Sequence, residues 1–287
     1  MEKVKKFRSK KGVERTKNAV IYIILGLISV IWLIPFVILL IQSFSGDKVG
    51  YSITRIFPKV WSFENYVTLF TGTKFLRWYG NTLLVSVVVT IVQTLIVLMT
   101  SYALSRLRFK MRKPLMNLML ILGMFPGFLS MTAIYFILKE IGLTQNLLGL
   151  MLVYTASSAM GYYICKGFFD TIPKSLDEAA RIDGANRHTV FFKVILPLAK
   201  PIIIYTVLMA FTAPWGEYMF SSFLMLGDPD KFTVAVGMKL WLDREQVNDY
   251  FGVFCAAAVI VSVPITALFI WLQRYYVEGV TGGAVKG

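Results

Sequence analysis

The chain is 287 residues long, 56% hydrophobic and 16% charged, and carries a formal net charge of +14. A mean hydropathy of +0.65 excludes a soluble globular domain. Uninterrupted apolar runs of about 20 residues, the length a helix needs to cross hydrocarbon, specify an all-α polytopic membrane protein rather than a barrel of short alternating strands. The basic excess does not mark a nucleic-acid binder. Its lysines and arginines fall in short loops beside the apolar runs, the pattern that sets membrane orientation.

Residues 1–17 form a basic tail holding Lys3, Lys5, Lys6, Arg8, Lys10, Lys11, Arg15 and Lys17 against Glu2 and Glu14. Such a tail is expected to be disordered or to lie on an anionic lipid surface. The first span covers 18–41, with Pro35 near its far end; it is too long, and its basic lead too long, for a cleavable signal peptide. In the polar and aromatic segment 42–80, Trp61, Phe63, Tyr66, Trp78 and Tyr79 read as anchors at the membrane interface. Span two, 81–104, carries Ser86, Thr90, Gln93 and Thr94 at helical spacing, so one polar stripe faces other helices or a pathway. Span three, 115–138, is interrupted by Gly123-Met-Phe-Pro126-Gly127. Pro126 removes an amide donor and predicts a kink, which suits either a gate or simple packing. Span four is 146–166, span five 198–222 and span six 251–273. The tail 274–287 is too glycine-rich to fold alone.

Six spans put both termini on one side of the membrane. That side holds eight lysines and arginines in the N-terminal tail, five at 106–113, six at 166–200 and two in the C-terminal tail, 21 of the 30. The basic bias makes this side cytoplasmic, together with the segment 167–197. Cys165 and Cys255 both lie in apolar spans, at opposite faces by this topology, and read as small buried hydrophobes rather than a disulfide.

Between spans four and five, the polar stretch 175–197 breaks the apolar pattern with Asp177, Glu178, Arg181, Asp183, Arg187 and Lys193. It is either a plain connecting loop or a handle by which an outside partner moves the spans. Ser175-x-x-Glu178 fits a capping box, and Gly184 can supply a left-handed helix exit. A helix this short is not stable alone and has to pack on something. Leu176, Ala179, Ala180 and Ile182 give it a small-residue face. Glu217, beside Pro214-Trp-Gly216 in span five, is a carboxylate near the membrane: a proton relay, or a polar packing or pathway residue at a broken helix. His188 has no cysteine or second histidine beside it and reads as a solvated loop residue. No phosphate-binding Gly-x-x-x-x-Gly-Lys-Ser/Thr, Gly-x-Ser-x-Gly or His-Glu-x-x-His occurs, so the chain is read as non-enzymatic, without a metal or cofactor of its own.

Glu178-Ala-Ala-Arg-Ile-Asp-Gly184, followed by Val194-Ile-Leu196-Pro197, resembles the EAA motif of membrane subunits of binding-protein-dependent ABC importers. Met124-Phe-Pro-Gly127, Trp215-Gly-Glu-Tyr218, Phe232-Thr-Val-Ala-Val-Gly237 and the tail from Gly279 resemble the carbohydrate branch of that family. The resemblance implies a six-helix core with cytoplasmic coupling helices. It also implies a second, non-identical permease subunit, a dimer of ATPase subunits that bind the ATP and magnesium, and an extracytoplasmic sugar-binding protein. Carried onto this chain, Glu178 would pair with a basic group of the ATPase, Ala179 and Ala180 would form the docking face, and Gly184 the turn, with Asp183, Leu196 and Pro197 completing the motif. Pro126, Gln93 and Glu217 are the candidate pathway or gate residues. The tail resembles one that reaches the ATPase interface, and 223–250 one that enters the binding protein's cleft. The implied cargo is a maltodextrin-like oligosaccharide; another solute such as glycerol phosphate, or an ion-coupled mechanism through Glu217, is the alternative.

Overall fold

A computed structural model describes residues 2–47, 56–225 and 227–284. Helices α1 (Glu2–Ser43), α2 (Glu64–Thr71), α3 (Phe75–Arg106), α4 (Arg112–Met124), α5 (Gly127–Glu140), α6 (Leu147–Ala156) and α7 (Ala159–Thr171) come first in the chain. A short helix α8 (Ser175–Ile182) is followed by α9 (Arg187–Thr189), a π-helical turn at Val190–Ile195 and α10 (Leu196–Leu198). Then come α11 (Lys200–Gly216), α12 (Met219–Leu224), α13 (Val234–Leu240) and α14 (Val247–Ala284). Among the described residues there is no strand, only an isolated antiparallel bridge between Ser45 and Trp61.

Among the described residues, three helices are long and apolar enough to cross a membrane unbroken, within α1, α3 and α14. The count reaches six if each bent pair is one span: α4 with α5 at 104°, α6 with α7 at 41°, and Arg187–Leu198 with α11 at 83°. The sequence predicts a kink at Pro126; the structure has a full break there. Pro126 has no amide to donate and adopts an extended ψ of 117°, so α4 ends at Met124 and α5 starts afresh at Gly127. At the third bend, Pro197 and Pro201 lie either side of Ala199, and each lacks the amide that would continue the ladder.

Both ends depart from expectation. Helix α1 runs from Glu2 instead of leaving a separate unstructured tail, and α14 continues through Gly279, Gly282 and Gly283 to Ala284. Once a span has nucleated a helix, extending it needs only one hydrogen bond per residue fixed, which a basic or glycine-rich sequence can supply. The last part of the tail, 285–287, and residues 48–55 of the segment after span one lie outside the described residues.

The chain forms two compact units, Met1–Leu69 with Arg244–Val259, and Phe70–Asp243 with Ile260–Gly287. In the first, Gly46 N–H donates to Val60 O at 2.8 Å and Ser62 N–H to Phe44 O at 2.8 Å. The Asn65 amide ties Ser43 O and Ser45 O at 3.1 and 2.8 Å. Trp61 and Phe63 are exposed, as interfacial anchors should be.

In the second unit α3 is the central helix, packed against α6, α7, α11 and α13. Its polar stripe turns toward protein: Ser86 and Thr94 are buried and Thr90 and Gln93 half-buried, and further along α3 the buried Ser101 donates from Oγ to Tyr162 O at 3.0 Å. Trp78 does not act as an interfacial anchor. It is 5% exposed, its indole donates to Pro229 O at 2.8 Å, and its ring packs on Phe232 and Trp241. Asn81 holds Asp230 O and Phe232 O at 2.8 and 3.0 Å, and the Thr82 hydroxyl accepts from Val234 N–H at 2.8 Å. Residues 229–241 are therefore a folded cap over the start of α3.

Candidate functional site

Two features are built on α3, one at its C-terminal end and one near its middle. At the end, α7 stops at Thr171 and Pro173 starts α8, whose first-turn amides bond to Pro173 O (3.3 Å, from Leu176) and Lys174 O (3.1 Å, from Glu178). The expected capping box is not formed: Lys174 is already helical at φ −67°, ψ −22°, and no side chain caps the helix. Ser175 lies one position inside the helix, where its hydroxyl cannot play the N-cap role. The exit behaves as the sequence predicts. Gly184 has φ +87°, Ala185 N–H bonds to Ala180 O at 2.9 Å and Gly184 N–H to Arg181 O at 3.0 Å, the paired bonds of a Schellman stop. Asn186 then caps the next helix, its Oδ1 accepting from Thr189 N–H at 2.9 Å.

Helix α8 has two distinct faces. Its inner face carries Asp177, 6% exposed, and Ala180, which with Ala185 packs against the cluster of Tyr102, Phe169, Val190 and Phe191. Its outer face presents Glu178, Ala179, Ile182 and Asp183, with Ile182 87% exposed. The expected docking face is therefore divided: Ala179 is free to meet a partner, while Ala180 is used inside. Leu196 is half-buried beside the same cluster and Pro197 is exposed. The sequence reading missed how the inner face is held. Arg106, the last residue of α3, brings Nε to 2.9 Å from Asp177 Oδ2 and donates through Nη2 to Ile172 O at 2.8 Å. One residue earlier, Ser105 Oγ donates to Asp170 Oδ1 at 2.6 Å, and Lys166 pairs with the other oxygen of Asp170. The available signal was an acid beside Ala180 and Arg181 at helical spacing, on the apolar side of an amphipathic helix.

Near the middle of α3, a cavity of about 410 Å³ is lined by Gln93, Gly127, Phe128, Ser130, Tyr154, Ser157, Glu217 and Phe220, with apolar neighbours. Helix breaks border it. At the gap between α6 and α7, the Gln93 amide donates to Tyr154 O at 3.2 Å and also to the Ser158 hydroxyl, satisfying a carbonyl near the break. At the gap between α11 and α12, Glu217 accepts from Phe220 N–H at 2.7 Å, Ser221 N–H at 2.9 Å, Ser221 Oγ at 2.9 Å and Tyr154 OH at 2.5 Å. At the gap between α4 and α5, Pro126 sits immediately before Gly127 of the lining. Gln93, Pro126 and Glu217 are thus each associated with one of these helix breaks around a single cavity. Non-helical backbone at membrane depth is tolerated where protein or a cavity satisfies it, and broken helices mark binding sites in many transporters.

With four donors on its two oxygens, Glu217 acts as a helix-start acceptor. Replacing it with Ala removes the acceptor of the Phe220 and Ser221 amides, while Tyr154 OH keeps Ser221 Oγ at 2.7 Å. The expected loss is about 1–3 kcal/mol of stability, with Gln recovering part of it, read as thermal unfolding in detergent. Cys165 and Cys255 are both free and buried. His188 is exposed on α9, and among the described residues no group of three or more His, Cys, Asp or Glu is arranged to hold a metal.

A polytopic helical chain whose spans break around a central cavity, and which presents a short anchored helix between two of them, has the layout of a transport permease. A family profile, "Binding-protein-dependent transport system inner membrane component", matches residues 96–282, and the chain belongs to that family of integral membrane permeases. It is 36% identical over 269 residues to the maltodextrin transport system permease protein MdxG of Bacillus subtilis (strain 168), covering 93% of this chain and 95% of that one. To MalD of Streptococcus pneumoniae, another maltodextrin permease protein, it is 34% identical over 275 residues, covering 95% and 97%. To the galactooligosaccharides permease protein GanQ of Bacillus subtilis it is 35% identical over 274 residues, covering 93% and 94%. In fold it matches a chain of a bacterial ABC transporter involved in alginate import, with a TM-score of 0.76 at 23% identity, over 91% of this chain and 97% of that one.

Proposed function

We propose that this chain is one permease subunit of an ATP-driven importer of maltodextrin-like oligosaccharides. The observation that carries the proposal is the match over nine-tenths of the chain to permeases named for such sugars, in a chain whose EAA-like segment folds as an anchored helix with an exposed Glu178–Ala179–Ile182 face. Helix α8 is the coupling helix, received in a cleft of an ATPase subunit; a second, non-identical permease completes the pathway, and an extracytoplasmic binding protein delivers the sugar. The termini, the 105–114 loop and α8 lie in the cytoplasm by the basic-residue bias. Catalysis and the binding of ATP and magnesium belong to the partner ATPases. The cavity at the three helix breaks is this subunit's half of the pathway. When the ATPases close, α8 is carried with them and the spans rotate to expose the cavity to the binding protein.

Deleting the chain should abolish uptake of labelled maltodextrins, and restoring it should recover uptake that survives a protonophore but not ATP depletion. Loss of galactooligosaccharide uptake instead would reassign the cargo to that of the GanQ-like relatives. Uptake that collapses with the proton gradient alone would overturn the ATP-driven reading.

A further inference from the structure

We propose that the buried Arg106–Asp177 pair is the positioning contact that makes α3 move with α8, and so links the ATPase-facing helix to the cavity. This inference rests on the coupling role proposed for α8.

Three observations support it. First, α8 enters the chain at the turn after Pro173 and leaves it at the left-handed Gly184, so it is set off from the helices on either side of it. Second, beside the apolar packing of Ala180, a charged contact crosses to α3: Arg106 Nε lies 2.9 Å from Asp177 Oδ2, with the two side chains 3% and 9% exposed. An apolar contact permits sliding between neighbouring packings, whereas separating a buried charge pair leaves uncompensated charges, so its two members have to move together. The same guanidinium holds Ile172 O at 2.8 Å, so Arg106 grips both the strut leading into α8 and α8 itself. Third, Arg106 ends the helix that carries Gln93. The two residues are 13 apart, about 20 Å along the axis, so a displacement at Arg106 is delivered through one unbroken rod to the cavity wall.

The pair is also incompletely satisfied. Nε approaches Oδ2 without being aligned for a hydrogen bond, and Arg106 Nη1 and Asp177 Oδ1 have no hydrogen-bond partner. A buried pair with spare donors and acceptors can exchange one oxygen for the other as α8 tilts while staying paired. That suits a contact which has to hold through a change of angle.

The test uses the complete transporter in proteoliposomes, with ATP hydrolysed per sugar imported as the readout and complex yield measured beside it. Asp177→Asn is expected to raise that ratio by about 2- to 30-fold, the range for residues along a coupling route, with Asp177→Glu recovering most of it. The pair Arg106→Met with Asp177→Leu separates positioning from stability. An apolar replacement of similar volume restores the packing of a buried ion pair, so the complex should assemble but remain poorly coupled. Wild-type coupling in that double variant, or an unchanged ratio in Asp177→Asn, overturns the proposal. If the double variant does not assemble, the ratios for Asn and Glu at 177 decide it. Glu178→Lys, read as complex yield and uptake, keeps the two ideas apart. If it loses the ATPase subunits while Asp177→Asn leaves the ratio unchanged, only the linkage fails; if neither has an effect, the coupling role of α8 fails with it.

Discussion

Glu178→Lys is expected to abolish sugar uptake and release the ATPase subunits on purification, with the chain still inserted at its normal level. The side chain lies on the outer face of α8, and among the described residues it makes no ion pair within the chain. The fold itself therefore loses little. A lysine in the first turn of a helix is worth about 0.3–1 kcal/mol less than a glutamate through the helix dipole. At an interface the reversal is far larger, because a like charge placed against the basic partner implied for Glu178 costs several kcal/mol, enough to remove binding by orders of magnitude. Co-purification and uptake together check it. Unchanged association and uptake would sink the coupling role proposed for α8, whereas lost protein would indicate a folding defect. A neighbouring control is Ile182→Ser on the same exposed face, which should weaken association without removing the chain from the membrane.

Gly237→Ala is expected to destabilise the protein strongly for a single added methyl. A Cβ at this position would lie 2.0 Å from Trp78 Cε3 and 2.2 Å from Cδ2. The ring cannot retreat: its indole N–H is bonded to Pro229 O, and Phe232 and Trp241 pack against it. The clash has to be relieved by moving α13 away from α3, which also strains the Thr82 contact to Val234 N–H at 2.8 Å. Overpacking of this kind costs about 1–3 kcal/mol, and more where the neighbours are held. The expected result is a lowered unfolding temperature in detergent and a reduced yield of monodisperse protein. Trp78→Leu in the same chain should recover much of the loss by opening the space. A wild-type melting point for Gly237→Ala would show that α13 is not seated on Trp78 as the structure has it. This close approach gives a physical reason for a glycine at the end of Phe232-Thr-Val-Ala-Val-Gly237.

Much of the segment between spans four and five was legible from residue order. The glycine at 184 has the positive φ that its place after an eight-residue helix requires, and the EAA-like spacing leads to the family the comparisons identify. The polar stripe on α3 was readable for a similar reason, since 3.6-residue periodicity places Ser86, Thr90, Gln93 and Thr94 on one side of the helix, where Ser86 and Thr94 become buried and the other two half-buried. The capping box was misread by one residue. Whether Ser175 or Lys174 starts the helix depends on the chain's path out of Pro173, and a four-residue motif does not encode that path.

Apolar run length, basic-residue placement and local motif are properties of neighbouring residues; the first made the helical membrane class legible, and the second carries the orientation proposed above. Two other features belong to the tertiary structure. Arg106 looked like one of five cations in a topology signal until the end of α3 met Asp177, 71 positions later in the chain. Gln93, Pro126 and Glu217 were grouped from the sequence as candidate pathway or gate residues, but only folding brings the helix breaks beside them around one cavity. Buried charges and interrupted helices have to find partners, and which partners they find is decided by long-range packing.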